Sequence, residues 1–368
     1  KSIMSIIILF RKLVLNQKEI ETIPQYPFYE NEKIEIPQWL AKAGDLKFKG
    51  HFTGYIYDFV TYGNIETALG NLSADVNLKL DTDNEKYSGN VSANEFDIGT
   101  LFDAEDVLGR TTFNLNVKGK YFDINKMNAE VEGNIAKLHF NKYDYSNVDI
   151  KGSVAKKLFN GFLNVNEDNL GLVFNGKVDF NQAKPIYDFE ADIDHLKPYA
   201  LHLLKGNGNG EFGGNVKMDF EGDNIDNMNG IALLRDVSYL QDGKVIDIDS
   251  LSFVSTKYKD KYNISLKSDL IDASVDEVKK LSTAYYSLWN TITSYVPTLK
   301  PYEKKIFDEN CQFEINIKNL DPVFNIFYPP LHIAPGTALS GEINSMTKHI
   351  DLFLSSPLVT WNDMRCEG

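Results

Sequence analysis

From Phe48 to Leu80 the residues change character at every second position, and that period leaves few options for the fold. Val76, Leu78 and Leu80 are separated by Asn77 and Lys79, with Asp75 ahead of them. Successive side chains on a strand point to opposite faces, so this segment has one apolar and one polar face. On a helix the same spacing would scatter the apolar groups around the axis. Gly50, Gly54, Gly63 and Gly70 punctuate the stretch where strands end or bend.

The pattern continues far beyond Leu80. Phe113, Leu115 and Val117 alternate with Asn114, Asn116 and Lys118, and Val131 and Ile135 sit in register with Ala129 and Gly133. Leu170, Leu172, Phe174, Gly176, Val178 and Phe180 form the longest clean set, opposed mainly by Asn175, Lys177 and Asp179. Further strands are expected near 216–220, 230–234, 245–248, 251–254, 264–267, 313–317 and at Leu352 and Leu354. The fold class is therefore all-β, built of repeated antiparallel strands. The period changes once: Val278, Leu281, Tyr285, Leu288, Trp289, Ile292 and Val296 have helical spacing and stop before Pro297. They predict one amphipathic helix over 276–295, with Asp276 and Glu277 in the first turn, where acids favour the dipole.

Composition shifts divide the chain. Residues 1–45 read as an N-terminal segment and proline-punctuated connector, with Trp39, Leu40 and Ala43 in a helical turn closed by Gly44. A main β region follows over 46–205, and the glycine-asparagine run from Leu203 to Gly214 is the strongest break. Then come a continuing β segment over 206–275, the helix region 276–300, and a C-terminal β segment over 301–368. Val117-Lys118-Gly119 with Asp123, Met127 and Asn128 is echoed by Phe220-Glu221-Gly222 with Asp226, Met228 and Asn229. Each copy reads as a strand ending at glycine, a polar turn and a new strand, which fits an array of strand pairs.

The net charge of −14 argues against a nucleic-acid partner, since no basic stripe offers counterion release. Two cysteines, Cys311 and Cys366, exclude a disulfide framework and leave a single bridge between them open. Ser2 to Leu15 is the most apolar stretch, but Arg11 and Lys12 interrupt it well short of the ~20 residues a spanning helix needs. It reads as a strand or a peripheral piece. Beginning at Lys1 and stopping at Gly368, the chain reads as a fragment.

No constellation points to an enzyme, a cofactor or a metal. His195 and His202, with Asp192 and Asp194, have no zinc spacing, and Pro198 lies between the two histidines. Asp81-Thr82-Asp83-Asn84-Glu85 begins like a calcium loop, but Lys86 replaces the required glycine and Ser92 the bidentate acid. The glycines from Gly206 to Gly213 precede another alternating segment instead of the helix that a dinucleotide site needs. Asp242-Gly243 is a hairpin turn pair.

Three stretches together resemble a known family. They are Phe48 to Phe59 (F-x-G-x-F-x-G-Y-I-x-D-F), Tyr62 to Leu72 (Y-G-x-I-x-T-x-L-G-x-L), and Tyr87 to Leu101 (Y-S-G-N-V-S-A-N-E-F-D-I-G-T-L). They resemble the TamB branch of the AsmA-like envelope proteins, in the form found in Bacteroidota-type Gram-negative bacteria. The likeness is close from about Phe48 to Leu204 and looser from Phe313 to Asn344, including the proline-rich run from Phe327 to Thr337. It implies an elongated curled β-groove, or β-taco, in the periplasm. Such a protein would be tethered to the inner membrane through an N-terminal anchor and would reach toward an outer-membrane barrel of the BamA or TamA type. It would carry phospholipid acyl chains between the membranes or assist outer-membrane biogenesis.

On that reading the groove is lined by Val76, Leu78, Leu80, Phe113, Leu115, Val117, Val131, Ile135, Leu170, Leu172, Phe174, Val178 and Phe180. Alternating strands normally turn such a face into a protein core, so a structural scaffold with a filled core is the competing expectation. An outer-membrane β-barrel shares the alternation, but evenly long strands and aromatic girdles are missing from this sequence.

Overall fold

A computed structural model describes residues 6–15, 42–55, 58–80, 84–123, 125–206, 208–295, 298–302, 309–362 and 364–367. The expected turn at Trp39 and Leu40 and the calcium-like start at 81–83 lie outside these residues. The chain is strand-dominated, and the strands pair antiparallel, as the alternation predicts. It divides into two compact units, Lys1–Gly176 with Leu201–Leu203, and Lys177–Ala200 with Leu204–Gly368.

The first unit is a meander. Its strands are β1 (Ile6–Leu15), β2 (Leu46–Tyr55), β3 (Asp58–Thr67), β4 (Gly70–Lys79), β5 (Lys86–Asp97), β6 (Leu108–Lys120), β7 (Asn128–Phe140), β8 (Tyr143–Ala155) and β9 (Leu158–Glu167). β10 (Leu170–Asp179) begins in this unit, and the division falls within it. Each strand from β1 to β9 pairs with its neighbour in sequence. β1 occupies much of the apolar Ser2–Leu15 stretch, so a strand forms where the sequence allowed one. A short helix, α1 (Ile98–Phe102), interrupts the meander after β5; Asp97 caps it, accepting from Thr100 N at 3.0 Å and Thr100 Oγ1 at 2.9 Å.

The second unit repeats the arrangement. It contains β11 (Ile186–Leu196), β12 (Glu211–Glu221), β13 (Asn229–Gln241), β14 (Lys244–Tyr258), β15 (Lys261–Ser268), β16 (Ile271–Val278), α2 (Leu281–Tyr295) and β17 (Asn310–Ile317). There follow α3 (Asp321–Phe327), β18 (Leu331–Ile333), β19 (Thr337–Asn344), β20 (His349–Ser355), β21 (Val359–Trp361) and β22 (Met364–Cys366). β17 pairs with β19, and β18 instead joins β21 and β22 in a small separate sheet. Among the described pairings, neither unit closes its first strand onto its last.

Local chemistry explains several boundaries. Asp242 and Gly243 adopt φ of 52° and 75°, giving the hairpin turn between β13 and β14 that the pair predicts. The segments 245–248 and 251–254, which read as two strands, are one strand, because β13 pairs with both in a single unbroken register. The helix starts later than its apolar spacing suggests. Asp276 pairs with Gln312 and Val278 with Tyr262, so β16 runs through the acids expected in the first helical turn. Val278 is fully buried in the strand, and pairing there prevails over helix propensity. Both cysteines are free, Cys311 buried and Cys366 exposed, so the bridge left open by the sequence is absent.

Candidate functional site

The apolar face of the first unit is assembled by register. Ile65 pairs with Leu72, Leu72 with Ala93, Ala93 with Phe113, Phe113 with Ile135, and Ile135 with Val148. One apolar row therefore crosses six strands, and it is flanked by parallel rows through Val91 and Leu115 and through Val117 and Val131. Side chains directly opposite lie ~5 Å apart and touch, which makes each row continuous. On β4 the burial pattern follows the period: Leu72, Ala74, Val76 and Leu78 are covered, and Asn71, Ser73, Asp75 and Asn77 are exposed.

Most of the expected lining residues are half-buried, including Leu78, Phe113, Leu115, Val117, Val131, Ile135, Leu172 and Val178. Val76, Leu170 and Phe174 are buried, and the Phe174 ring lies 6.0 Å from that of Phe159. Two expected residues lie just past strand ends. Leu80 follows β4, and Phe180 follows β10 and is 50% exposed, its ring edge-on to Tyr187. Within this unit the contacts between elements run between successive strands, apart from α1 against β6.

One end of the face is closed. Ala43, Leu69, Ala93 and Phe96 form a buried cluster with Ile98 and Leu101 of α1 packed against it. Ala68 N donates to Ala43 O at 2.9 Å, and Lys42 Nζ pairs with Asp103 at 2.6 Å, holding this end together. On the opposite, polar side of the sheet an open hollow of about 410 Å³ lies between Lys49, His51, Asn64, Ser73, Asp75 and Asn90. Gly50, Gly63, Tyr62 and Ala74 line it beside these polar side chains, and it is an open dip in the surface.

The second unit has a matching face that the sequence reading did not assign residue by residue. Met218 pairs with Ala232, then Phe253, Leu266, Ala273 and Ile315 in turn. The signal was present as alternation in each strand, but only the register shows that the sets align. Here α2 closes one end: Leu281, Ala284 and Leu288 pack on a cluster of Tyr262, Ile264, Val278, Cys311 and Ile343.

The groups weighed for chemistry are scattered. His195 Nδ1 meets Asp194 at 2.9 Å, and His202 stands exposed in a turn with φ of 58°. His139, His332 and His349 each sit beside one carboxylate, Asp144, Asp321 and Asp351. Among the described residues no group of three or more His, Cys, Asp or Glu is placed to hold a metal ion. No helix of the described residues is long and apolar enough to cross a membrane. No protein-family model, curated protein or solved structure matches this chain.

Proposed function

We propose that the apolar face of each unit holds phospholipid acyl chains, and that the protein moves or stages lipid without any covalent chemistry. The observation that carries this reading is the run of apolar side chains, most of them half-buried, that register aligns across successive strands. Strands lie ~4.8 Å apart, so the eight strands β2 to β9 offer a track of about 33 Å. One leaflet of a bilayer is ~15 Å of hydrocarbon, so an acyl chain fits with length to spare. Covering its methylenes is favourable by ~0.8 kcal/mol each, without any requirement for a specific contact. Headgroups would remain in water at the open side.

The resemblance at Phe48–Phe59, Tyr62–Leu72 and Tyr87–Leu101 supports the setting. In that setting the chain works in the periplasm, anchored to the inner membrane and facing an outer-membrane barrel partner of the BamA or TamA type. A scaffold reading is favoured by the two buried clusters, which fill the ends of the faces with protein side chains.

The test is bound lipid. Protein purified in a detergent unlike lipid is extracted with organic solvent, and the extract is analysed by mass spectrometry beside a Leu115→Asp variant. Leu115 is half-buried between Val91 and Gly133 on the face, so a carboxylate there would have to be desolvated by any passing chain. Stoichiometric phospholipid that is lost in the folded variant is the expected result. A lipid-free, well-folded wild type would favour the scaffold.

A further inference from the structure

The outer side of α2 carries aromatic groups that the core does not use. The helix turns Leu281, Ala284 and Leu288 toward the buried cluster, while Tyr285 is 56% exposed; Tyr295, two turns beyond Leu288 on the same side, donates its hydroxyl to Lys348 O at 2.7 Å. The turn after it adds Leu299 and Tyr302, at 36% and 42%. These groups are held in place. Asn290 Nδ2 donates to Tyr302 O at 3.3 Å, and Tyr302 N donates to Asn290 Oδ1 at 2.8 Å. Trp289 Nε1 donates to Lys300 O at 3.0 Å, and the Tyr302 ring stands edge-on to Tyr286 at 4.8 Å. The result is a fixed platform of tyrosine, tryptophan and leucine.

Its charge differs from that of the chain as a whole. Between Lys279 and Tyr302 there are three lysines, Lys279, Lys280 and Lys300, and no acidic residue, in a protein of net charge −14. The carboxylates that reach this segment, Asp226 and Glu309, are engaged by backbone N–H groups at its start. Amphipathic aromatics favour the headgroup layer of a bilayer, and lysines beside them favour anionic lipid.

We propose that the outer face of α2, with the 298–302 turn, docks on an anionic phospholipid bilayer surface, placing the α2-capped end of the second unit's apolar face against the membrane. This deepens the acyl-chain reading and rests on it for its purpose, but flotation reads docking alone, whereas bound-lipid analysis reads the groove.

The 368-residue protein is mixed with vesicles of phosphatidylethanolamine and phosphatidylglycerol and floated on a density gradient. Wild type is expected to float, and Tyr285→Ser with Leu299→Ser to lose affinity by roughly tenfold, because apolar area and charge both contribute to interfacial binding. Lys300→Glu, which leaves the aromatic packing in place, should weaken binding to these vesicles and leave weak binding to pure phosphatidylcholine unchanged. Tyr62→Ser, an exposed tyrosine of the first unit, is the neutral control. In a Trp39→Phe, Trp361→Phe background, brominated phospholipid should quench Trp289. The proposal is overturned if wild type stays at the bottom of the gradient, or if both α2 variants float like wild type. It is also overturned if Tyr62→Ser is as defective as they are, or if the surface captures a protein partner while ignoring vesicles.

Discussion

Asp226 caps helix α2 from a hairpin turn 56 residues earlier in the chain: its carboxylate accepts from Ser282 N at 2.8 Å and from Ser282 Oγ at 2.6 Å. The donor is an N–H of the first helical turn, which has no partner inside the helix. Asp226→Ala should cost about 1 kcal/mol and fray the start of α2, as loss of a cap does. Amide hydrogen exchange across 282–288 is the measurement, with protection lost there and retained in β13. Uniform protection in the variant would show that packing alone holds the helix.

Tyr87 occupies the space above Gly119, so a Cβ at position 119 would lie 2.6 Å from its ring and hydroxyl. The same ring meets Phe122 at 4.9 Å. Gly119→Val should force the tyrosine out and destabilise the first unit by roughly 1–3 kcal/mol, the range for overpacking. Denaturant unfolding would read it, and a Tyr87→Ala background should relieve part of the loss.

Cys311 lies in the cluster under α2, and burial, helped by Glu309, pushes its thiol up to about 11. Only the thiolate reacts, so a thiol reagent near neutral pH should label the exposed Cys366 quickly and leave Cys311 untouched until the cluster opens. Two labelling rates, with the slow one accelerated by Asp226→Ala, are expected. Equal rates would contradict the packing of α2.

Tyr143 donates to Glu167 Oε2 at 2.7 Å, and burial first, then that hydrogen bond, raises its phenol from 10.0 to about 12. Below pH 10 both folded and unfolded chains keep the proton and the group is silent. Above it the unfolded chain ionises first, so stability falls as pH climbs from 10 toward 12. An ultraviolet titration of wild type against Tyr143→Phe should place the missing transition at the high value.

β20 pairs only with β19 among the described strands and exposes Leu352, Phe353 and Leu354 in succession. An apolar edge of this kind invites strand addition. Phe353→Lys should lower concentration-dependent self-association in sedimentation velocity without changing the circular dichroism spectrum.

Period two by itself determined that residues such as Val76, Leu115 and Phe174 share a strand face with their i±2 neighbours, because side-chain direction on a strand is a local property. Turn chemistry was equally local, and Asp242-Gly243 formed its hairpin where it was expected. Register was not local. That Leu72, Ala93 and Phe113 line up into one row depends on pairing energies summed over whole strands, and bulges such as that between Ala93 and Phe96 reset it. The two copies of the glycine-turn motif make the same point. Asp123 accepts from Asn125 N within its own turn, whereas Asp226, its counterpart, reaches across to Ser282. Nothing in either turn foretells that difference. It arises because α2 packs beside only one of them, and a carboxylate bonds whichever unpaired N–H the fold brings within reach.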